Sequence, residues 1–306
     1  MLKSPLYPIA ELLKMISHLS RQTLKQIYVT YIRPIFDYGD VVYHGQLTVI
    51  DSLSLERIQN RAARLIIGAL YRTSTSSLLE EVGLTTLHNR REISSLNMLF
   101  RLKQIAPRYL LEVIPATRHE IITCNLRNSN NISLPSNRLS SFRNSFIPGT
   151  IRRWNRLPEA IKTTTCNRSF KQAVAQMYNV SKVPIYYMLG NKIDTILHTR
   201  LRIGLSTLNA HLFRIDSPQV DSPYCTCAQV PETVKHFFLV CPHHVIPRQE
   251  LERQLKRLIV GYDRMSVDDK LALFLCGRNL GTAADLAVAL ALVVHKFIRN
   301  TNRFCI

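Results

Sequence analysis

The chain has 306 residues, of which 46% are hydrophobic, and 40 Lys and Arg stand against 21 Asp and Glu for a net charge of +19. This length and apolar content exclude a disordered polypeptide and allow one large domain or roughly two to three small ones. The charge favours a polyanionic partner. The seven cysteines are odd in number and unevenly spaced, which argues for reduced thiols.

The first twenty residues carry apolar positions at helical spacing (Ile9, Leu12, Leu13, Ile16) rather than the unbroken apolar core of a secretory signal. The expected location is intracellular, nucleus or cytoplasm, not secreted. Ser20 is placed to cap a helix that Pro34 should kink or break. The segment "VIDSLSLERIQNRAARLIIGAL" predicts a helix with Leu53, Ile58, Ala62, Leu65 and Ile66 on one side and Arg57, Arg61 and Arg64 on another, stopped near Gly68. Two further helices, "SSLLEEVG" and "TTLHNRREISSLNMLFRLKQI", end before Pro107. Residues 116–150 are rich in Asn, Ser, Pro and Arg, which reads as loop or short strands. Short helices follow around Trp154, which reads as a core anchor, and along "RSFKQAVAQMY". A last region begins near Pro184, with two helices broken near Gly204, a cysteine-rich segment, and helices near 248–260, 267–276 and 283–299. Its apolar run "LAVALALVV" at 286–294 is too short to span a bilayer, so it reads as a buried helix and no membrane partner is expected. The expected fold class is mainly α. A helical thumb-like bundle occupies 1–115, a basic loop-rich segment 116–183, and a helical region with a small metal-binding unit 184–306.

The charge is concentrated. Residues 121–214 hold 14 basic and 2 acidic side chains, whereas residues 1–120 hold 15 and 10 and residues 215–306 hold 11 and 9. Such a stretch, interleaved with Phe142 and Phe146, fits contact with the phosphate backbone of RNA or DNA. The residues expected to make it are Arg127, Arg138, Arg143, Arg152, Arg153, Arg156, Arg200 and Arg202.

The most specific local pattern is "CTCAQVPETVKHFFLVCPHH" at 225–244. Cys225, Cys227, His236 and Cys241 supply three thiolates and one imidazole, the set that closes a tetrahedral zinc shell. Cys225 and Cys227 can come from one tight turn, and His236 and Cys241 from the end of a helix and the turn after it. His243 and His244 are alternative imidazoles. Because the shell leaves no open position, the expected cofactor is one structural Zn²⁺ and no catalytic metal. No nucleophile–base pair or small-molecule site is evident, and Cys166 beside Arg168 reads as a structural thiol.

Several blocks taken together resemble a known family. "YIRPIFDYGDVVYHG", "LERIQNRAARLIIGAL", "SSFRNSFIPGTIRRWNRLPEAI", "NRSFKQAV" and "ILHTRLRIGLSTLNAHLFRI" with "DSPYCTCAQVPETVKHFFLVCP" resemble, in that order, the region after the polymerase core in jockey-like non-LTR retrotransposon reverse transcriptases. The resemblance implies a thumb and connector over residues 1–115 and a zinc knuckle binding RNA or target DNA. In that family, RNA-directed DNA polymerase and endonuclease activities, with Mg²⁺, belong to preceding segments. The family's adjacent aspartates after an aromatic residue have no match. "VDDK" at 267–270 reads as a helix start, and Asp37 and Asp40 as charges at a helix end or turn. The expectation is therefore a truncated carboxy-terminal portion without its own catalytic site, with the intact element protein as a candidate partner. The alternative is an inert structural or protein-interaction remnant.

Overall fold

A computed structural model describes residues 19–70, 72–121, 129–136, 138–179, 183–227, 230–277 and 284–304. It is mainly helical, and among the described residues β pairing is confined to the isolated bridges Thr117–Ile132 and Tyr224–Pro231. The longer helices are α1 (Val49–Ile67), α2 (Thr75–Val82), α3 (Leu87–Ile105), α4 (Phe146–Asn155), α5 (Asn167–Met177), α6 (Lys192–Arg202), α7 (Val245–Leu258), α8 (Val267–Cys276) and α9 (Ala284–Asn300). None of the described helices is long and apolar enough to cross a membrane.

Contacts divide the chain into two units that do not follow chain order. One comprises 1–26, 61–82 and 183–306, the other 27–60 and 83–182. The three consecutive regions expected above are thus cut differently by packing, since 61–82 belongs with the carboxy-terminal part.

In the unit formed by 27–60 and 83–182, α3 is the axis. Thr86 caps it, its hydroxyl accepting from the Asn89 N–H, and an extended Ala106 just before Pro107 ends it. The helix buries Leu96, Leu99 and Phe100, and α4 and α5 pack on that face with Ile151, Trp154, Phe170 and Val174. Phe100 and Phe170 stack with centroids 4.1 Å apart. Trp154 is 1% exposed and its indole N–H donates to Asn130 O, so it anchors this core rather than offering a stacking surface. Ahead of Pro34, residues Tyr28–Ile32 form a π turn before the helix resumes at Arg33. Proline has no N–H to donate to the preceding turn, and the widened turn absorbs that loss.

In the other unit, α6, α7, α8 and α9 enclose the core. Residues 286–294 lie within α9, which buries Ala287, Leu290, Ala291, Val294, Phe297 and Ile298 on one face. These meet Leu201 of α6, Leu251 and Leu255 of α7, and Leu273 and Phe274 of α8. Gly204, at φ +69, ends α6 as its position suggested. Phe237 and Phe238 join the same core, and this seats the cysteine-rich segment.

Candidate metal centre

Four side chains converge at this segment. Cys225 and Cys227 lie on the turn after the Tyr224–Pro231 bridge, whose second bond is Cys225 N–H to Val230 O at 2.9 Å. His236 opens a π turn, His236–Val240, and Cys241 follows it, with Cys241 N–H donating to His236 O at 2.8 Å. A π turn carries an additional residue per turn, which brings positions five apart onto one side. That geometry, absent from the sequence reading, is how His236 and Cys241 come together. Arg248 on α7 holds the end of the turn, its guanidinium donating to Phe238 O at 2.9 Å and Cys241 O at 2.6 Å.

The four potential ligand atoms all lie within 4.8 Å of one another. Cys225 Sγ and Cys241 Sγ are 3.8 Å apart, and Cys227 Sγ is 3.2 Å from His236 Nε2. A disulfide requires about 2.05 Å, so these are free thiols held in contact. The cluster is a possible metal site. His236 is the imidazole in it; His244 is instead buried with its ring 5.2 Å from that of Phe237, and His243 is exposed.

Burial favours the neutral forms of these groups. Burial, reinforced by the neighbouring Cys225 and Cys241 thiols, pushes Cys227 up to about 12. Burial also raises Cys241 and lowers His236, so without a positive charge among them the Cys227 and Cys241 thiols stay protonated and the imidazole neutral. A bound divalent cation reverses this for the thiols, releasing their protons as it binds. Glu232, the one acid in the loop, is 3% exposed and already shared by the Arg303 guanidinium (2.6 and 2.7 Å) and Asn209 N–H (2.7 Å). It ties the loop to the carboxy-terminal segment.

The arginines expected at a nucleic-acid surface are placed unevenly. Arg138, Arg143 and Arg156 are exposed, and Arg152 and Arg153 are half-buried on α4. Arg153 is paired with Glu92 at 2.6 Å. Arg200 is half-buried and donates to Gly68 O at 3.0 Å. Arg202 departs from the expectation. Its side chain is 5% exposed and bonds Glu81 (2.7 Å), beside Arg21, in a buried network. A cation so enclosed has no surface to offer a phosphate. Arg127 lies outside the described residues.

The carboxylates weighed for catalysis also have local partners. Asp269 joins the Ser266 cap of α8 and Asp268 pairs with Lys235 at 2.9 Å. Asp37 accepts both arms of Arg90 at 2.6 and 2.7 Å, and Asp40, 5% exposed, accepts from Ser94 at 2.9 Å. No family model, curated protein or solved structure matches the chain.

Proposed function

We propose that the chain binds RNA or DNA through backbone phosphates, and that its Cys₃His cluster holds a structural zinc ion. The observation that carries the metal is the spacing. Thiolates about 2.3 Å from one zinc ion stand about 3.8 Å apart at a tetrahedral angle, the separation of Cys225 and Cys241. All four donors come from the chain, which suits a closed structural shell better than a catalytic one with a vacant position. The imbalance of 14 basic to 2 acidic side chains over 121–214, with Arg138, Arg143 and Arg156 exposed, supports the nucleic-acid reading. The ordered resemblance to non-LTR retrotransposon reverse transcriptases supports it independently, and with it the reading of this chain as the portion following such a polymerase core. Polymerase and endonuclease chemistry would then reside in other segments of such a protein.

Binding of a fluorescent single strand, as RNA and as DNA, followed by anisotropy between about 50 and 200 mM salt, tests this. The affinity should fall with a log–log slope of about 0.7 to 0.9 per phosphate neutralised. A salt-insensitive complex, or none at low salt, contradicts the reading. A second reading, a protein-interaction piece, is favoured by Tyr31, Ile35, Tyr38 and Val42, which are 73, 59, 88 and 72% exposed within a short span. Absence of nucleic-acid binding by a folded, zinc-loaded chain would select it.

A further inference from the structure

In the unit formed by 27–60 and 83–182, a cleft of about 350 Å³ opens beside the amino-terminal end of α1 and the start of α4. Its walls include His44, Thr48, Ser52, Arg152 and Arg153, with Val49 and Leu53 at an apolar lip, 76 and 51% exposed. Behind the wall lies Arg91, 1% exposed. Among the described residues it has no carboxylate partner, and its Nη1 makes no hydrogen bond. A buried guanidinium N–H left without an acceptor is costly unless something nearby supplies one.

Arg91 spends its other donors on groups that line the cleft. Its Nε–H points at His44 Nδ1 (3.3 Å) and its Nη2 donates to Ser52 Oγ (3.2 Å). Ser52 Oγ, accepting from Arg91, keeps its own hydrogen free to donate. His44, accepting at Nδ1, must carry its proton on Nε2, because a neutral imidazole has one donor and one acceptor. Yet Nε2 faces Arg153 Nη2 at 2.9 Å, and a guanidinium cannot accept. The opposite tautomer only moves the conflict to Arg91. Two donors therefore converge on one spot without an acceptor between them. The carboxylates at hand are already engaged: Glu92 with Arg153 and Tyr178, and Asp51 with Thr48. Arg152 makes its contacts with Arg143 O and Asn144 Oδ1, and has no carboxylate partner among the described residues.

We propose that this cleft seats one backbone phosphate of a single-stranded nucleic acid. Its oxygens accept from Arg152, Arg153, His44 Nε2–H and Ser52, and the adjoining sugar or base lies on Val49 and Leu53. The anion supplies the acceptor that the converging donors lack and offsets Arg91 behind them. The size fits one nucleotide unit, at the lower end of the range for ligand pockets, about 300–1,000 Å³. This seat rests on the nucleic-acid reading above and gives it an address.

The test is anisotropy with a labelled single-stranded oligonucleotide on the zinc-loaded full chain, comparing wild type with Arg152→Ala, Leu53→Glu and, on α7, Arg257→Ala as control. Leu53 and Arg257 are exposed, so neither change disturbs a core. The seat predicts an affinity loss of about tenfold in Arg152→Ala and Leu53→Glu, a salt slope lower by about 1 in Arg152→Ala, and wild-type behaviour in Arg257→Ala. Wild-type affinity in both cleft variants, or equal losses in all three, overturns the seat and leaves the broader reading standing. No binding by the wild type overturns both.

Discussion

Gly45 is needed because of what lies against it. A Cβ at this position would sit 1.5 Å from Asn144 O, so the turn His44–Gln46 meets the 140–144 segment backbone to backbone. Gly45→Ala must push these apart, and an unfolding titration in urea should register a loss of about 1–3 kcal/mol. A second residue-scale device is the His198–His295 pair. His198 Nε2 donates to Phe274 O (2.8 Å), so its Nδ1 accepts from His295 Nε2 (3.0 Å), and His295 Nδ1 has no partner among the described residues. Burial pushes His295 down to about 4. Below pH 6.5 the unfolded chain takes up a proton at this site and the folded chain does not, so stability falls as pH drops and levels off below about 4. Compared with His295→Asn, the wild type should lose up to about 3 kcal/mol more between pH 6.5 and 4, measured by urea unfolding at each pH. Equal pH dependence in the two proteins would contradict the neutral-pair assignment. Neither residue stood out in the sequence, because a histidine on an apolar helix face looks the same whether paired or not.

At the scale of elements, apolar spacing and capping residues carried most of the information. Ser20 caps the helix at Arg21, its Oγ accepting from Thr23 N–H at 3.1 Å, and Gly68 and Gly204 stop α1 and α6 at positive φ. Three features were illegible for physical reasons. The π turns at 28–32 and 236–240 depend on which carbonyl an N–H selects, and residue types do not encode that choice. Leu53 fits the apolar stripe of α1 but is 51% exposed, because the buried positions concentrate later, at Ala62, Ala63, Ile66 and Ile67. Arg202 looks like a surface cation at a helix end, and only the arrival of Glu81 from α2 encloses it. Arg202→Ala leaves Glu81 with Arg21 and the Thr199 hydroxyl, and losing the hydrogen bonds between these charged groups should cost about 1.5–3 kcal/mol. Thermal unfolding should show that loss, while the salt slope of oligonucleotide binding stays at the wild-type value. A changed slope with unchanged stability would return Arg202 to the surface set.

For the whole molecule, the division into units could not be read along the chain. Residues 61–82 join 183–306 through contacts such as Arg202 on Glu81, whose partners are 121 positions apart. Separation of that kind leaves no local pattern. The Cys/His cluster, a possible metal site, was legible because its residues are close in sequence. Three thiols and an imidazole within 17 positions, 225–241, have few other reasons to converge. The unit that carries them would gain folding free energy from the metal, so chelation should lower its unfolding temperature. The most direct measurement is the zinc content of the purified chain, by elemental mass spectrometry, beside that of the Cys225→Ser/Cys227→Ser variant. About one zinc per chain in the wild type, lost in the variant, is the expected result. A well-folded wild-type chain that carries no metal and takes up none when zinc is supplied would contradict the account.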